Sequence, residues 1–233
     1  LEPARVITDE TVYSADETGP PDLQSEDPDQ LAYLIFTSGT TAEPSGVEIT
    51  RRNLFSHLET LIRLFGFDAD MRVFNPTPMS HTDGLIFGLM LALATGGSVV
   101  RPGPLDLARF DPWIGMLHQH DVTHMVTNPT VLHLIDRTCR HDDPFRSARF
   151  KGLISSASHL RPEFWQRFEA RFGTRIWNLY GLTETVTSAL YAGRHPDMGA
   201  TGTLGKPVDC EARVAPLAPA LQPADDGDAG ELQ

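Results

Sequence analysis

The chain has 233 residues, of which 40% are hydrophobic and 8% aromatic, so it can bury a large core, and a wholly disordered protein is excluded. The formal net charge of −12 comes from the two ends, because residues 31–216 contain 18 acids and 18 bases. This balance excludes the basic surface of a nucleic-acid-binding protein. The longest apolar run, residues 84–94, falls short of the roughly 20 residues that span a bilayer, so no membrane span is expected.

The cysteines and histidines give little sign of metal or redox chemistry. Cys139 and Cys210 lie far apart without C-x-x-C or metal-ligand spacing, and we expect both to be buried thiols. His118, His120 and His124 do not share one predicted element, which disfavours a metal site. The chain does not open on a basic region followed by an apolar one, so no signal peptide is expected and a cytoplasmic location is predicted.

The predicted elements follow an acidic opening. Residues 9–30 carry eight acids and no Lys or Arg, which predicts a solvated linker before a folded part that begins at Leu31. From there, short apolar runs alternate with stretches of helical periodicity. The predicted strands are residues 31–36, 72–75, 98–100, 122–127, 150–155 and 175–179. The predicted helices are residues 51–65 with Thr50 as N-cap, 84–94, a helix from Pro112 behind an Asp111 cap, 129–137 and 161–172.

This alternation predicts an α/β fold with mostly parallel β-sheets covered by helices. A further strand is predicted at residues 211–215, where glycine-rich segments replace the regular pattern. We therefore divide the chain into an acidic linker or leading segment at residues 1–30, an α/β nucleotide-binding core at 31–208, and the truncated start of a small β-rich segment at 209–233.

A turn rich in hydroxyls and small residues, residues 37–46, lies between the first strand and the first helix. The backbone N–H groups of such a turn can converge on an anion, which is how loops cradle phosphates. Turns of this composition are also common without a ligand, and the chain has no G-x-x-x-x-G-K-[ST] motif. Composition alone leaves both interpretations open.

A second segment, residues 178–185, follows the strand predicted at 175–179. Open α/β sheets bind their ligands at the carboxyl ends of strands. Tyr180 offers a flat face for a base, Thr183 a hydroxyl for a phosphate, and Glu184 a carboxylate of the kind that Mg²⁺ prefers. A helix start beside a core tyrosine would give the same pattern, so this segment by itself is also ambiguous.

Together the two segments resemble motifs of the adenylate-forming superfamily, which contains acyl-CoA and fatty acyl-AMP ligases, nonribosomal peptide synthetase adenylation domains and luciferase. The first resembles its Y-T-S-G-T-T-G-x-P-K-G phosphate loop, and the second its Y-G-x-T-E segment. Weaker matches are residues 78–84 with P-x-x-H-x-x-G, 155–157 with a small-residue stretch, and 202–207 with G-x-x-G-x-P. The resemblance implies a partial N-terminal domain of an adenylate-forming enzyme.

The resemblance also implies ATP and Mg²⁺ as cofactors, a carboxylic acid as substrate, and the thiol of CoA or of a phosphopantetheinyl carrier protein as acyl acceptor. On this basis Glu184 would hold Mg²⁺, Thr183 would contact the α-phosphate, and His81 would lie beside the reacting carboxylate. The residues implied for the phosphates are Thr37, Ser38, Gly39, Thr40 and Thr41. The residues implied for the rest of the nucleotide are Ser155, Ser156, Ala157, Asn178, Tyr180 and Gly181.

Two departures from the family pattern favour a second hypothesis. Ser45 stands where the phosphate loop has Lys, and Ala42 stands where it has Gly. The chain could therefore be a catalytically degenerate scaffold or interaction module in a larger synthase. The resemblance further implies that a ribose-binding Asp and a catalytic Lys follow Gln233, so the 233 residues alone are expected to be inactive.

The identity of the acid is poorly specified by the sequence. The P-x-x-H-x-x-G match and the apolar run 85–93 resemble ligases of fatty or aryl acids more than amino-acid adenylation domains. Amino-acid adenylation domains usually have an Asp for the substrate amine in this region, and Asp83 keeps that alternative open.

Overall fold

The computed structural model describes residues 27–37, 45–103, 105–141, 143–215 and 231–232. The strands in these ranges are β1 (Leu31–Thr37), β2 (Ser45–Thr50), β3 (Arg72–Phe74), β4 (Ser98–Val100), β5 (His124–Thr127), β6 (Gly152–Ser155), β7 (Ile176–Tyr180), β8 (Leu190–Ala192), β9 (Lys206–Pro207), β10 (Val214–Ala215) and β11 (Glu231–Leu232). The α-helices are α1 (Arg51–Phe65), α2 (Thr82–Leu85), α3 (Leu91–Thr95), α4 (Phe110–Gln119), α5 (Pro129–Thr138) and α6 (Pro162–Phe172).

The central sheet has seven strands in the order β4-β3-β5-β6-β7-β8-β9. Strands β4, β3, β5, β6 and β7 run parallel to one another, whereas β8 pairs antiparallel with β7 and β9 pairs antiparallel with β8. Parallel neighbours need a crossover such as a helix, and only a short turn separates β7 from β8. The prediction of a mostly parallel α/β fold is confirmed.

Helices cover both faces of this sheet, because successive strand residues point to opposite sides. Val73, Val126 and Ile154 pack with α1 and α3 on one face. Phe74, Met125 and Leu153 pack with α4, α5 and α6 on the other face. Apolar layers therefore pack on both faces of the sheet, and they hold the loops at its edges in place.

Helix α1 forms as its sequence predicts. The Thr50 hydroxyl accepts a hydrogen bond from the Asn53 backbone N–H at 3.2 Å, and Gly66 ends the helix in the left-handed conformation with φ of 61°. Before the helix, Gln30 accepts the Arg51 backbone N–H at 2.9 Å, and Asp29 pairs with Arg52 at 3.0 Å. The last residues before β1 are thus attached to the start of α1.

Several element predictions were wrong in detail. The strand at Leu31 does not join the parallel sheet, because β1 pairs antiparallel with β2 in a separate hairpin. The predicted helix 84–94 is interrupted, since a π-helical segment, Ile86–Met90, separates α2 from α3. Helix α4 begins at Phe110 rather than Pro112, after a 3₁₀ turn at Leu107–Arg109.

Four of the described strands, β2, β8, β9 and β11, were not predicted. The strand predicted at residues 211–215 is shorter, and its last two residues form β10, which pairs with β11. Cys139 is buried as expected, but Cys210 is exposed, so its prediction as a buried thiol was wrong. Within the described ranges, every helix is too short or too polar to cross a membrane.

We predict that Leu61→Ala lowers the free energy of unfolding by about 2–5 kcal/mol, because Leu61 is fully buried between α1 and the sheet and its loss leaves a cavity. Chemical denaturation measures the change. Leu93→Ala is the matched control, since Leu93 is 72% exposed and should lose less than about 0.5 kcal/mol. Equal losses in the two variants would contradict the described packing.

Candidate active site

Most of the residues predicted to bind ligand follow the carboxyl ends of parallel strands. His81 lies in the connection after β3, residues 155–157 end β6, and residues 178–181 end β7. Within the sheet, Ser155 is the register partner of Asn178. Parallel strands place their carboxyl ends at one edge, so segments that are far apart in sequence meet there.

A cavity of about 590 Å³ opens at this edge of the sheet. It is lined by four residues that the sequence singled out separately: Ala157, Asn178, Tyr180 and Gly181. Gly202 and Thr203 of the glycine-rich run also line it. Leu179, Leu182 and Leu204 belong to the predicted segments 178–185 and 202–207, whereas Ser158, His159 and Leu160 are lining residues that sequence reasoning missed. Ser158, His159 and Leu160 lie in the turn after β6, which no sequence pattern marks.

Two buried polar atoms at this edge lack a hydrogen-bond partner within the described part of the chain. They are Oδ1 of Asn178 and Oγ of Ser155. Buried polar atoms in folded proteins are nearly always hydrogen-bonded, so an unpaired amide oxygen in a cavity wall marks a place for a ligand donor. The exocyclic amino group of adenine is such a donor. The cavity beside these atoms is therefore a candidate site for a nucleotide base.

The backbone around the cavity adopts conformations that side chains disfavour. Ala157 has φ of 72° and Val186 has φ of 66°. A β-branched residue such as Val is a rare occupant of this region, and each such residue costs of order 1–3 kcal/mol. Gly181 fits closely as well, because a Cβ there would lie 2.3 Å from Ser188 Cα. Strain of this kind is concentrated at ligand sites, so it supports a functional role for the turns around Tyr180.

Glu184 and Thr183 lie in the 3₁₀ turn Thr183–Thr185 that follows β7. Glu184 is exposed, and within the described ranges its carboxylate has neither a hydrogen bond nor an ion pair. The same ranges contain no group of three or more His, Cys, Asp or Glu residues that could hold a metal. A single carboxylate fits Mg²⁺, which is usually held by one or two carboxylates together with substrate phosphates and water.

Of the hydroxyl-rich turn at residues 37–46, the structure describes Thr37, Ser45 and Gly46. Thr37 ends β1, Ser45 begins β2, and the Thr37 hydroxyl donates to the Ser45 carbonyl oxygen at 3.4 Å. Strand β2 lies within 8 Å, between Cα atoms, of the turn that carries Glu184. The implied phosphate ligands Ser38, Gly39, Thr40 and Thr41 lie outside the described residues, as does Ala42.

His81, Asp83 and Ser156 form a contact that sequence reasoning missed. The Ser156 hydroxyl donates to the Asp83 carboxylate, although the two residues are 73 positions apart. The His81 side chain caps α2 by accepting the Asp83 backbone N–H on Nδ1 at 3.2 Å. The segment implied to lie beside the acid is thereby tied to the segment implied to lie beside adenine. The sequence signal for this contact was that Asp83 lies two residues after His81.

A family model described as "AMP-binding enzyme" matches residues 2–233. The chain belongs to this family. It is 34% identical over 211 residues to a protein of Cupriavidus necator named sulfoacetate–CoA ligase, covering 90% of this chain and 40% of the relative. It is 29% identical over 231 residues to tyrocidine synthase 3 of Brevibacillus parabrevis, covering 97% of this chain and 3% of the relative.

A solved structure of a malonyl-CoA ligase, titled as a product complex with methylmalonyl-CoA and AMP, has the same fold. Its TM-score is 0.73 at 29% identity, and the match covers 89% of this chain and 44% of the ligase. This chain, a member of the AMP-binding enzyme family, thus spans less than half the length of each of these similar proteins. The match confirms the predicted superfamily and its fold.

We predict that Gly181→Ala weakens ATP binding by roughly tenfold or more, because the new methyl group would collide with the Ser188 backbone and displace Tyr180. Calorimetric titration of the protein with ATP measures the effect. The matched control is Gly115→Ala on α4, where an added Cβ meets nothing within 4 Å. That change should leave ATP affinity unaltered and stabilise the helix by roughly 0.5–1 kcal/mol. Unchanged affinity in the Gly181 variant would exclude this cavity as the nucleotide site.

Proposed function

We propose that the protein uses Mg-ATP to convert a carboxylic acid into an acyl-adenylate and then passes the acyl group to a thiol of CoA or of a phosphopantetheinyl carrier protein. The observation that carries this proposal is the cavity at the carboxyl edge of the sheet, where Asn178 and Tyr180 meet Ala157. Membership of the AMP-binding enzyme family supports the same reaction.

In the first step, an oxygen of the acid carboxylate attacks the α-phosphorus of ATP, and the bond to pyrophosphate breaks. In the second step, the thiolate attacks the acyl carbonyl carbon and AMP leaves. We assign Tyr180 to the face of adenine, Thr183 to the α-phosphate and Glu184 to Mg²⁺. The metal ion would neutralise charge on the phosphates. The contribution of the protein is then alignment and electrostatic stabilisation.

The relatives support both kinds of acceptor. The sulfoacetate–CoA ligase and the malonyl-CoA ligase are named for CoA, whereas the name of tyrocidine synthase 3 does not include CoA. We further propose a cytoplasmic location, with residues 31–208 as the nucleotide-binding core and residues 209–233 as the start of the next structural unit.

The second candidate function is a non-catalytic scaffold, and one observation favours it. Ser45 occupies the position at which the phosphate loop of the family carries Lys, and it lies exposed at the start of β2. A serine supplies no positive charge for the leaving pyrophosphate. The two functions differ in whether the full-length protein exchanges pyrophosphate into ATP when an acid is present.

We predict that Glu184→Ala reduces acid-dependent pyrophosphate exchange by at least about 100-fold in the full-length protein, since loss of the Mg²⁺ carboxylate costs the transition state on the order of 3 kcal/mol. Glu59→Ala on the exposed face of α1 is the matched control and should keep full exchange. Exchange that survives Glu184→Ala would exclude the metal role. If the unaltered protein shows no pyrophosphate exchange with any acid of a broad panel, the scaffold function is favoured.

We predict that Ser45→Lys raises the exchange rate by roughly tenfold, because it restores a point charge facing the leaving pyrophosphate. The control is Gln119→Lys, which adds the same charge at the exposed end of α4. Stopped-flow or steady-state exchange assays measure both variants. An unchanged or lower rate for Ser45→Lys would show that position 45 does not face the phosphates.

A further inference from the structure

A second cavity, of about 570 Å³, lies at the amino ends of β6 and β7, at the edge of the sheet opposite the candidate nucleotide site. We call it the amino-edge cavity. Lys151 immediately precedes β6, Arg175 immediately precedes β7, and both line this cavity together with Trp177. The length of β7 separates the two cavities, because the extended chain from Arg175 to Tyr180 spans roughly 16 Å between Cα atoms.

The amino-edge cavity has two positive charges that the described part of the chain leaves unpaired. Lys151 and Arg175 are exposed, and within the described ranges neither side chain has a hydrogen bond or an ion pair. Arg63, which also lines the cavity, differs from them, because its Nη2 lies 2.6 Å from an Asp209 carboxylate oxygen. Lys151 and Arg175 therefore supply charge that is available to an anionic ligand.

Trp177 gives the cavity an aromatic wall that is fixed in place. Its side chain packs in the core, and its ring lies edge-on to the ring of Phe65 with centroids 5.4 Å apart. Two glycines leave room for it, since an added Cβ would lie 2.6 Å from the ring at Gly152 and 2.7 Å from it at Gly193. A planar group that enters the cavity therefore meets a preformed aromatic surface.

The indole N–H of Trp177 has no hydrogen-bond partner within the described ranges, although the residue is only 9% exposed. This group can only donate, and buried indoles usually find an acceptor. Trp165, for example, donates its N–H to Glu169 at 3.1 Å. An unpaired donor in a cavity wall that also contains two unpaired cations marks a place for acceptor atoms of a ligand.

The positive charge of Lys151 reaches this wall. His124 lies behind Trp177, with ring centroids 6.0 Å apart, and burial followed by the charge of Lys151 lowers the pKa of His124 to about 3. His124 is therefore neutral near pH 7, and the charge beside Trp177 comes from Lys151 and Arg175.

We propose that the amino-edge cavity is a second ligand site, which binds an organic anion with a planar ring, and that an aryl phosphate is the simplest such ligand. The ring lies against Trp177, Lys151 and Arg175 hold the anionic group, and the Trp177 N–H donates to an acceptor atom. Because aromatic contact and charge-assisted hydrogen bonds both contribute, neither part of the ligand suffices alone. This inference is independent of the proposed function, since it assigns neither ATP, nor the acid, nor the thiol.

The test measures the binding of three probes to the full-length protein by calorimetric titration. Phenyl phosphate has both the ring and the charge, inorganic phosphate lacks the ring, and benzyl alcohol lacks the charge. Mg²⁺ and a non-hydrolysable ATP analogue are present at saturation, so that the probes report a site other than the one for ATP.

Three variants remove one contact each. Lys151→Met and Arg175→Met remove an exposed charge, and Trp177→Phe keeps a ring but removes the N–H. The matched control is Arg137→Met, which removes an exposed charge from α5. If Trp177→Phe does not fold, the two charge variants still decide the result, because Lys151 and Arg175 are at the surface.

We expect phenyl phosphate to bind at least about 10-fold more tightly than either inorganic phosphate or benzyl alcohol. Lys151→Met and Arg175→Met should each weaken its binding by roughly tenfold, and Trp177→Phe by roughly threefold to tenfold, whereas Arg137→Met should leave it unchanged. Binding of phenyl phosphate that the ATP analogue abolishes would place the probe in the nucleotide cavity and overturn the inference. Equal losses in Lys151→Met and Arg137→Met would show attraction to surface charge in general, and would overturn it too.

Discussion

The parallel hydrogen bonding of β5, β6 and β7 is the constraint on which the candidate site depends. Their register pairs Thr127 with Ser155 and Ser155 with Asn178, so the ends of β5 and β6 lie level with Asn178, two residues before the end of β7. The apolar layers on both faces hold this register, because a slip of one residue would turn every buried side chain toward the opposite face. The turns that follow the strands can then contain strained backbone and unpaired polar atoms while their residues stay in place.

This scaffold explains how the site can hold strained backbone and unpaired polar atoms in fixed positions. Ala157 and Val186 keep left-handed backbone conformations, and Asn178 and Ser155 keep unpaired polar atoms, because neighbouring strands fix the chain on either side. The Ser156–Asp83 hydrogen bond connects the residue after β6 to α2, and so joins the segment proposed to face the nucleotide to the segment proposed to face the acid. A nucleotide and an acid would meet groups that are already placed, which lowers the entropy cost of alignment.

The sequence predicted the elements whose signals are local and periodic. Helix α1 has a stripe of buried leucines and a capping Thr50, and both signals agree with the structure. Strands β8 and β9 escaped prediction because they have only three and two residues, too few for an alternating pattern to show. The π-helical segment also escaped, since its sequence Ile-Phe-Gly-Leu-Met keeps an apolar helical pattern. The Asp83–Ser156 contact could not be predicted because residues 73 positions apart share no periodicity.

We propose that one Mg-nucleotide occupies the carboxyl edge of the sheet. The most direct test is a crystal structure of the full-length protein with Mg²⁺ and a non-hydrolysable ATP analogue. We expect adenine against Tyr180 with its amino group on Asn178, and the triphosphate between residues 38–41 and Glu184. A nucleotide bound in another cleft, or Thr40 and Glu184 on opposite sides of the molecule, would contradict it.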